Sequence, residues 1–218
     1  FADICYASNP NYTYVPDDNF EQALIDQGYD DVLDDYVLTE NISYLDGLEI
    51  NMLDIYDLTG IEDFTSLELI GAYGNQLTTV DFSNNTALEH LSISDNQLTS
   101  LDVSNNTALE ILRIQNNQLT NLDLTGNTAL TTLSCEINEL TSLDVSSNTA
   151  LTYLQCLGNQ LTSLDVSSNT ALTYLHCYGN QLTSLDVSAN AALTSLDCSG
   201  NPLGSLDVST NTALINLN

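Results

Sequence analysis

Four cysteines stand 21 residues apart, at Cys135, Cys156, Cys177 and Cys198. Seven aspartates repeat at the same interval, at Asp81, Asp102, Asp123, Asp144, Asp165, Asp186 and Asp207. Thiolates bind zinc and carboxylates bind calcium, so either series could hold a metal. The side chains able to carry positive charge are one arginine, Arg113, and two histidines, His90 and His176.

The cysteine spacing argues against zinc, which is held by close Cys pairs or by Cys and His on one face. Earlier units carry Ala72, Ile93 and Ile114 at the cysteine position. A position that accepts Ala, Ile and Cys is an inward core site, where a reduced thiol acts as a small hydrophobe. His176 adjoins Cys177 but points to the opposite side of its strand. Cys5 stands alone, and five cysteines in 218 residues do not make a disulfide framework.

Aspartates stacked at the roughly 4.8 Å spacing of strands repel by about 1 kcal/mol in water. Ser and Thr hydroxyls two residues away, such as Ser163 and Ser167 around Asp165, are one means of offsetting this. Bound calcium is the other, with Asp102, Asp123, Asp144, Asp165 and Asp186 as ligands, although no compact calcium loop occurs. No other cofactor is expected. The cluster Asp30, Asp31, Asp34 and Asp35 reads as a solvated surface. Four coils separate the two histidines, roughly 19 Å by the strand spacing, too far to share a site. No nucleophile elbow, phosphate loop or zinc-protease helix occurs, so no enzymatic activity is expected.

These residues are positioned by a repeat. From Leu67 onward the chain repeats every 21 residues, with units starting at Leu67, Leu88, Leu109, Leu130, Leu151, Leu172 and Leu193 and a truncated eighth at Leu214. The unit LTYLQCLGNQLTSLDVSSNTA contains two versions of one phrase, L-x-x-L-x-C-x-x-N and L-x-x-L-D-V-S-x-N. Apolar residues at positions 4 and 6 of each phrase follow the period of two that marks a strand. One unit cannot close a core, but stacked units bury Leu151, Leu154, Cys156, Leu161, Leu164 and Val166 against the same positions next door. Asparagines recur at the end of both phrases, where a short amide can bond turn backbone that would otherwise be buried unpaired.

The first phrase resembles the leucine-rich repeat family, and the doubled unit resembles its nested bacterial subclass. The resemblance covers residues 67–218 strongly and 41–66 weakly. It implies a right-handed solenoid with a parallel sheet on one face. Because the second phrase is also strand-like, two short parallel sheets per coil and low curvature are expected. In the segment 45–66, Leu48, Ile50, Leu53, Ile55, Leu58, Ile61 and Phe64 are expected to point inward. Residues 1–40 read as a cap with a short helix, Asp18 as its N-cap, Glu21 completing a capping box and Gly28 at its end. The string VPDDNFEQALIDQGYDDVLDDYVLTENI resembles the N-terminal segment of secreted Bacteroidetes leucine-rich repeat proteins. The array ends inside a unit without a polar capping repeat, so continuation of the natural chain, or oligomer formation through this end, is expected.

The second phrase hardly changes from unit to unit, whereas positions 3, 5 and 7 of the first vary freely. Tyr73, His90, Arg113, Gln115, Glu136, Tyr153, Gln155, Tyr174, His176, Tyr178 and Asp197 occupy these outward positions. They include the only arginine, both histidines and four of the 11 tyrosines. Such a mixture on a rigid scaffold is how repeat proteins build a binding surface. A formal charge of −29 excludes nucleic acid and anionic membrane as partners. No apolar run is long enough to cross a membrane. The expected function is an extracellular or cell-surface module that binds a protein or glycan through this face. The alternative is a structural or calcium-linked surface protein that uses the Asp/Ser ladder.

Overall fold

The computed structural model describes residues 11–218, and the expectation about Cys5 falls outside them. The chain begins with a cap and continues as a solenoid. In the cap, β1 (Tyr12–Tyr14) pairs antiparallel with β2 (Tyr36–Leu38), around α1 (Asp18–Asp26) and before the short α2 (Thr39–Ile42). The N-cap of α1 is Asp17 rather than Asp18; its Oδ1 accepts the amides of Asn19 and Phe20. Glu21 does not reach back to close a capping box. It is fully buried, and its Oε1 accepts the amides of Asp34 and Tyr36, fastening the loop that leads into β2. The helix stops as Gly28 implied. Gly28 has φ +81°, its amide bonds Ile25 O, and the Tyr29 amide bonds Leu24 O, the paired bonds of a Schellman turn.

The solenoid carries one parallel sheet of nine strands in chain order. These are β3 (Gly47–Glu49), β4 (Leu69–Gly71), β5 (His90–Ser92), β6 (Ile111–Arg113), β7 (Thr132–Ser134), β8 (Tyr153–Gln155), β9 (Tyr174–His176), β10 (Ser195–Asp197) and β11 (Asn216–Leu217). Register is one-to-one, so Leu133, Leu154 and Leu175 are direct neighbours, each fully buried. The inward set of each coil is as expected: Leu151, Leu154, Cys156, Leu161 and Val166 are fully buried and Leu164 nearly so.

The second phrase is not a strand, which corrects the expectation of two sheets. Among the described residues every inter-coil ladder belongs to the first phrase. The aspartate of the second phrase takes the amide two residues on, as Asp165 Oδ1 does from Ser167 N at 2.9 Å, and so bends the backbone into a turn. Its apolar alternation still buries Leu164 and Val166, without a partner strand for the backbone.

Asparagines replace that ladder. Asn159 Nδ2 donates to the carbonyls of Cys135 and Cys156, and Leu140 N donates to Asn159 Oδ1. Asn169 Nδ2 donates to the carbonyls of Val145 and Asn148, while its Oδ1 is buried without a donor, as it is in all seven asparagines of that row.

Two inward or outward assignments need correction. Leu53 is 41% exposed, because Met52 and Asp54 on either side are left-handed and swing this part of the coil outward. Position 7 of the first phrase is not uniformly outward: Ser94 and Leu157 are buried, as is Ser134 at position 5. Position 8 is left-handed in every unit from Gly74 through Asp95, Asn116, Ile137, Gly158 and Gly179 to Gly200, so the period of two ends there and does not fix which way position 7 faces.

Cys135, Cys156, Cys177 and Cys198 are free, buried and in register along the core. Burial raises all four thiols, Cys177 to about 12. Thiolate is the reactive form, so a thiol reagent is expected to leave Cys135, Cys156 and Cys177 unlabelled over minutes under native conditions. Rapid labelling of Cys156, read by mass spectrometry, would overturn the inward phase of the strand.

Candidate binding face

The outward residues of β4 to β10 form two rows across the sheet, because register stacks position 3 on position 3 and position 5 on position 5. Tyr153 and Tyr174 are neighbours in the first row, with rings 4.3 Å apart and 8° from parallel. Tyr174 also lies against the His176 ring at 3.9 Å, and its hydroxyl is 2.6 Å from His176 Nδ1. The Tyr153 hydroxyl donates to Gln155 Oε1 at 2.6 Å. Burial, followed by the charge of neighbouring Tyr174, pushes the Tyr153 phenol up to about 12. Tyr178, one turn further along its coil, is 39% exposed. The structure therefore brings Tyr153, Gln155, Tyr174 and His176 into one bonded group, with Tyr178 on the same coil.

His176 Nε2 lies 3.1 Å from Ser195 Oγ. A hydroxyl beside an imidazole suggests a nucleophile and its base. Two of the nearby amides are committed to the sheet, Ser195 N bonding Thr173 O and Cys177 N bonding Asp197 O. The group can donate and accept hydrogen bonds. Burial lowers the His176 pKa, and the nearby Asp197 charge only partly offsets this. Burial works against the Asp197 carboxylate, yet bonds from Ser199 and Asn218 and the proximity of His176 hold it below the usual range.

Arg113 falls into a different group. It borders a depression of about 230 Å³ together with Tyr73 and His90, walled on the far side by Glu49 and Asn51, which the sequence did not single out. No salt bridge engages Arg113 among the described residues. Gln115 and Glu136 sit on adjacent coils, joined by the bond from Asn116 N to Glu136 O. Gln115 Oε1 and Glu136 Oε2 are both buried without a donor. Burial raises the Glu136 pKa, and the charge of Asp95 adds to the effect.

Ile137 follows Glu136 at φ +54° and is 54% exposed. A β-branched residue there is strained by roughly 1–2 kcal/mol. Sequence reasoning missed it, although the signal was present: Gly74, Gly158, Gly179 and Gly200 at the same position mark a left-handed site that isoleucine does not suit.

On the opposite side, the hydroxyl and amide two residues on hold Asp102, Asp144, Asp165 and Asp186 below the usual carboxylate range; at Asp123 the Thr125 amide leads and its hydroxyl adds. Asp102, Asp123 and Asp144 line one shallow depression of about 450 Å³. Among the described residues no three His, Cys, Asp or Glu side chains are grouped so as to hold a metal ion.

These shifts set opposite pH trends. Glu21, Asp30 and Glu136 have raised pKa values, led in each case by burial, so the folded state binds their protons more tightly and gains stability as pH falls from 7 through their folded values. The ladder aspartates have lowered values, so their contribution is complete above about 3.9 and is lost as pH falls further. The melting midpoint should rise as pH falls from 7 towards the ordinary carboxylate range and fall below about pH 3.9. A midpoint that declines steadily from pH 7 would contradict these shifts.

Residues 86–126 match the family model for leucine-rich repeats in two copies. The functional domain of InlJ from Listeria monocytogenes, which includes a cysteine ladder, is 34% identical with a TM-score of 0.64; the match covers 94% of this chain and 56% of that one. This chain thus spans little more than half of that protein domain. An internalin C2 from the same organism superposes with a TM-score of 0.87 at 19% identity, over 97% of this chain and 98% of that one. A leucine-rich repeat protein of Leptospira interrogans matches at 22% identity and a TM-score of 0.63, over 82% and 55% of the respective chains. No curated protein matches the chain. The fold is that of a leucine-rich repeat solenoid, and bacterial proteins are among those that share it.

Proposed function

We propose that this chain is a non-enzymatic binding module, secreted or displayed at a bacterial cell surface, that recognises a protein through the outward residues of its parallel sheet. The observation that carries this reading is the contrast between the two sides. The sheet side gathers Arg113, His90, His176 and four tyrosines, while the other side repeats Asp-Val-Ser or a near copy in most units. The leucine-rich repeat fold supports the reading, since it serves as a binding scaffold, and so does the resemblance to secreted Bacteroidetes proteins. No helix is long and apolar enough to cross a membrane among the described residues.

The ring geometry favours a protein over a glycan. Sugars stack on an open aromatic face, but Tyr153 and Tyr174 cover each other and His176 lies against Tyr174. Hydroxyls and ring edges remain, which suit a protein hot spot. The test is a screen against protein and glycan arrays, with and without calcium. Protein binding that persists in chelator is expected. Binding confined to glycans, or only in calcium, would contradict this reading and favour the Asp/Ser side.

A further inference from the structure

Four adjacent strands carry Glu49, Gly71, Ser92 and Arg113 side by side in the position 5 row. The backbone does not require glycine at Gly71, whose φ lies outside the left-handed region. The space does: a Cβ there would collide with Glu49 Oε2 and come within 3.1 Å of Asn51 Oδ1. The Glu49 carboxylate therefore leans across β4. It is held in place, since Asn51 Nδ2 donates to Glu49 Oε2 at 2.6 Å and Asn51 Oδ1 accepts the Tyr73 amide at 3.0 Å. Arg113 stands on the far side, with the small, half-buried Ser92 between as a low floor. Two strand spacings, roughly 10 Å, separate β4 from β6. The acid and the base thus border one hollow of about 230 Å³ and form no salt bridge across it among the described residues. Its rim is apolar. Tyr73 is 36% exposed and Met52 66%, and the Met52 side chain lies over Gly74, where a Cβ would meet Met52 Cγ at 2.8 Å.

We propose that this hollow is a second docking point of the sheet side, and that it takes an acidic and a basic side chain two residues apart on an extended segment of a protein partner. The proposal rests on the reading of this side as a protein-binding surface and names the chemistry of what docks there. In an extended segment, residues i and i+2 share a face about 7 Å apart, and long side chains cover the remaining distance. Arg113 offers a guanidinium fork to the partner's carboxylate, and the His90 ring, which also lines the hollow, offers a further nitrogen. Glu49 receives the partner's cation, held in advance by Asn51. The stem of a lysine or arginine can lie along Met52 and Tyr73. Tyr, Met and Arg are the residue types enriched where interfaces are buried. A purely acidic segment meets Glu49 and a net charge of −29; a purely basic one meets Arg113. The hollow therefore selects the pair over either charge alone.

The probes are the end-blocked tripeptides Glu-Ala-Lys, Glu-Ala-Gln and Gln-Ala-Lys, titrated at physiological salt and followed by NMR at the Gly71 amide and the His90 ring. Both signals should shift along one saturable curve with Glu-Ala-Lys, and the other two peptides should bind at least fivefold more weakly. Glu49→Gln should weaken Glu-Ala-Lys at least fivefold and tighten Glu-Ala-Gln. Arg113→Gln should weaken Glu-Ala-Lys by as much and tighten Gln-Ala-Lys. Gly71→Ala, which displaces the Glu49 carboxylate without changing any charge, should weaken Glu-Ala-Lys about threefold. Asp165→Asn, on the opposite side, should leave all three unchanged. Gln-Ala-Lys binding as tightly as Glu-Ala-Lys would show diffuse attraction to an acidic chain and overturn the docking point. Absence of saturable shifts at Gly71 and His90, or Glu-Ala-Lys affinity unchanged in both Glu49→Gln and Arg113→Gln, would also overturn it. Such a failure leaves protein binding at the tyrosines standing, because that is read separately with Tyr174 and Tyr178 variants and a protein ligand.

Discussion

Replacing Asp17 with alanine is expected to destabilise the N-terminal part of the molecule by roughly 3–5 kcal/mol, combining a lost helix cap with unpaired buried amides. Asp17 is fully buried, and its two oxygens serve two different elements. Oδ1 caps α1 through Asn19 N and Phe20 N, while Oδ2 accepts Tyr56 N and Asp57 N from the first coil at 2.8 and 3.0 Å. One carboxylate therefore fastens the cap helix to the solenoid, beside the contact of Phe20 with Phe64 at 6.1 Å. Stability in a repeat array is a sum of local and nearest-neighbour terms, so the loss should be local. Hydrogen exchange should accelerate at the amides of Phe20, Tyr56 and Asp57 and stay nearly unchanged beyond Leu151. A cost below about 1 kcal/mol, the value of an ordinary exposed cap, would show that the four bonds are not held together as described.

Asn159→Ala is expected to cost about 3–4 kcal/mol and Asn169→Ala about 2, because the two ladders are satisfied differently. Removing the Asn159 amide strands the Leu140 amide and withdraws donors from the carbonyls of Cys135 and Cys156, all inside the core. Removing the Asn169 amide withdraws donors from Val145 and Asn148 but also eliminates an oxygen that has no donor. Abolishing that unpaired oxygen offsets part of the loss. Urea unfolding of the two variants compares them directly. Equal costs, or a larger cost at Asn169, would mean that the unpaired oxygens of the second ladder are satisfied in solution.

The repeat length, the buried leucines, the cysteine core and the structural asparagines were all legible, because each follows from a period and from the need to bury apolar groups and pair polar ones. The second sheet was not. The sequence Leu164-Asp165-Val166 alternates like a strand, but alternation reports only which side chains are buried. It is silent on whether the backbone finds a partner, and the Asp165 side chain takes the amide that sets the turn. Leu53, Ser94 and Leu157 were misplaced because left-handed residues next to them interrupt the period of two. On the binding face, spacing placed Tyr153, Tyr174 and His176 on the outward side, and register makes Tyr153 and Tyr174 neighbours. Arg113 borders the Tyr73 and His90 depression, a grouping that spacing alone does not give, because the direction of a long side chain depends on its rotamer.

Binding through the outward side of the sheet is tested most directly by the affinity of the double variant Tyr174→Ala, Tyr178→Ala for a protein ligand taken from the array screen. Tyr174 is the centre of the bonded group, and Tyr178 is among the most exposed tyrosines of the face. A loss of at least tenfold, about 1.4 kcal/mol, is predicted. The melting midpoint should move by no more than about 3 °C, as expected for loss of one ring stack in a chain of this size. Undiminished affinity in that variant, with affinity lost instead on changing Asp144 and Asp165, would contradict the account and move the binding surface to the opposite side.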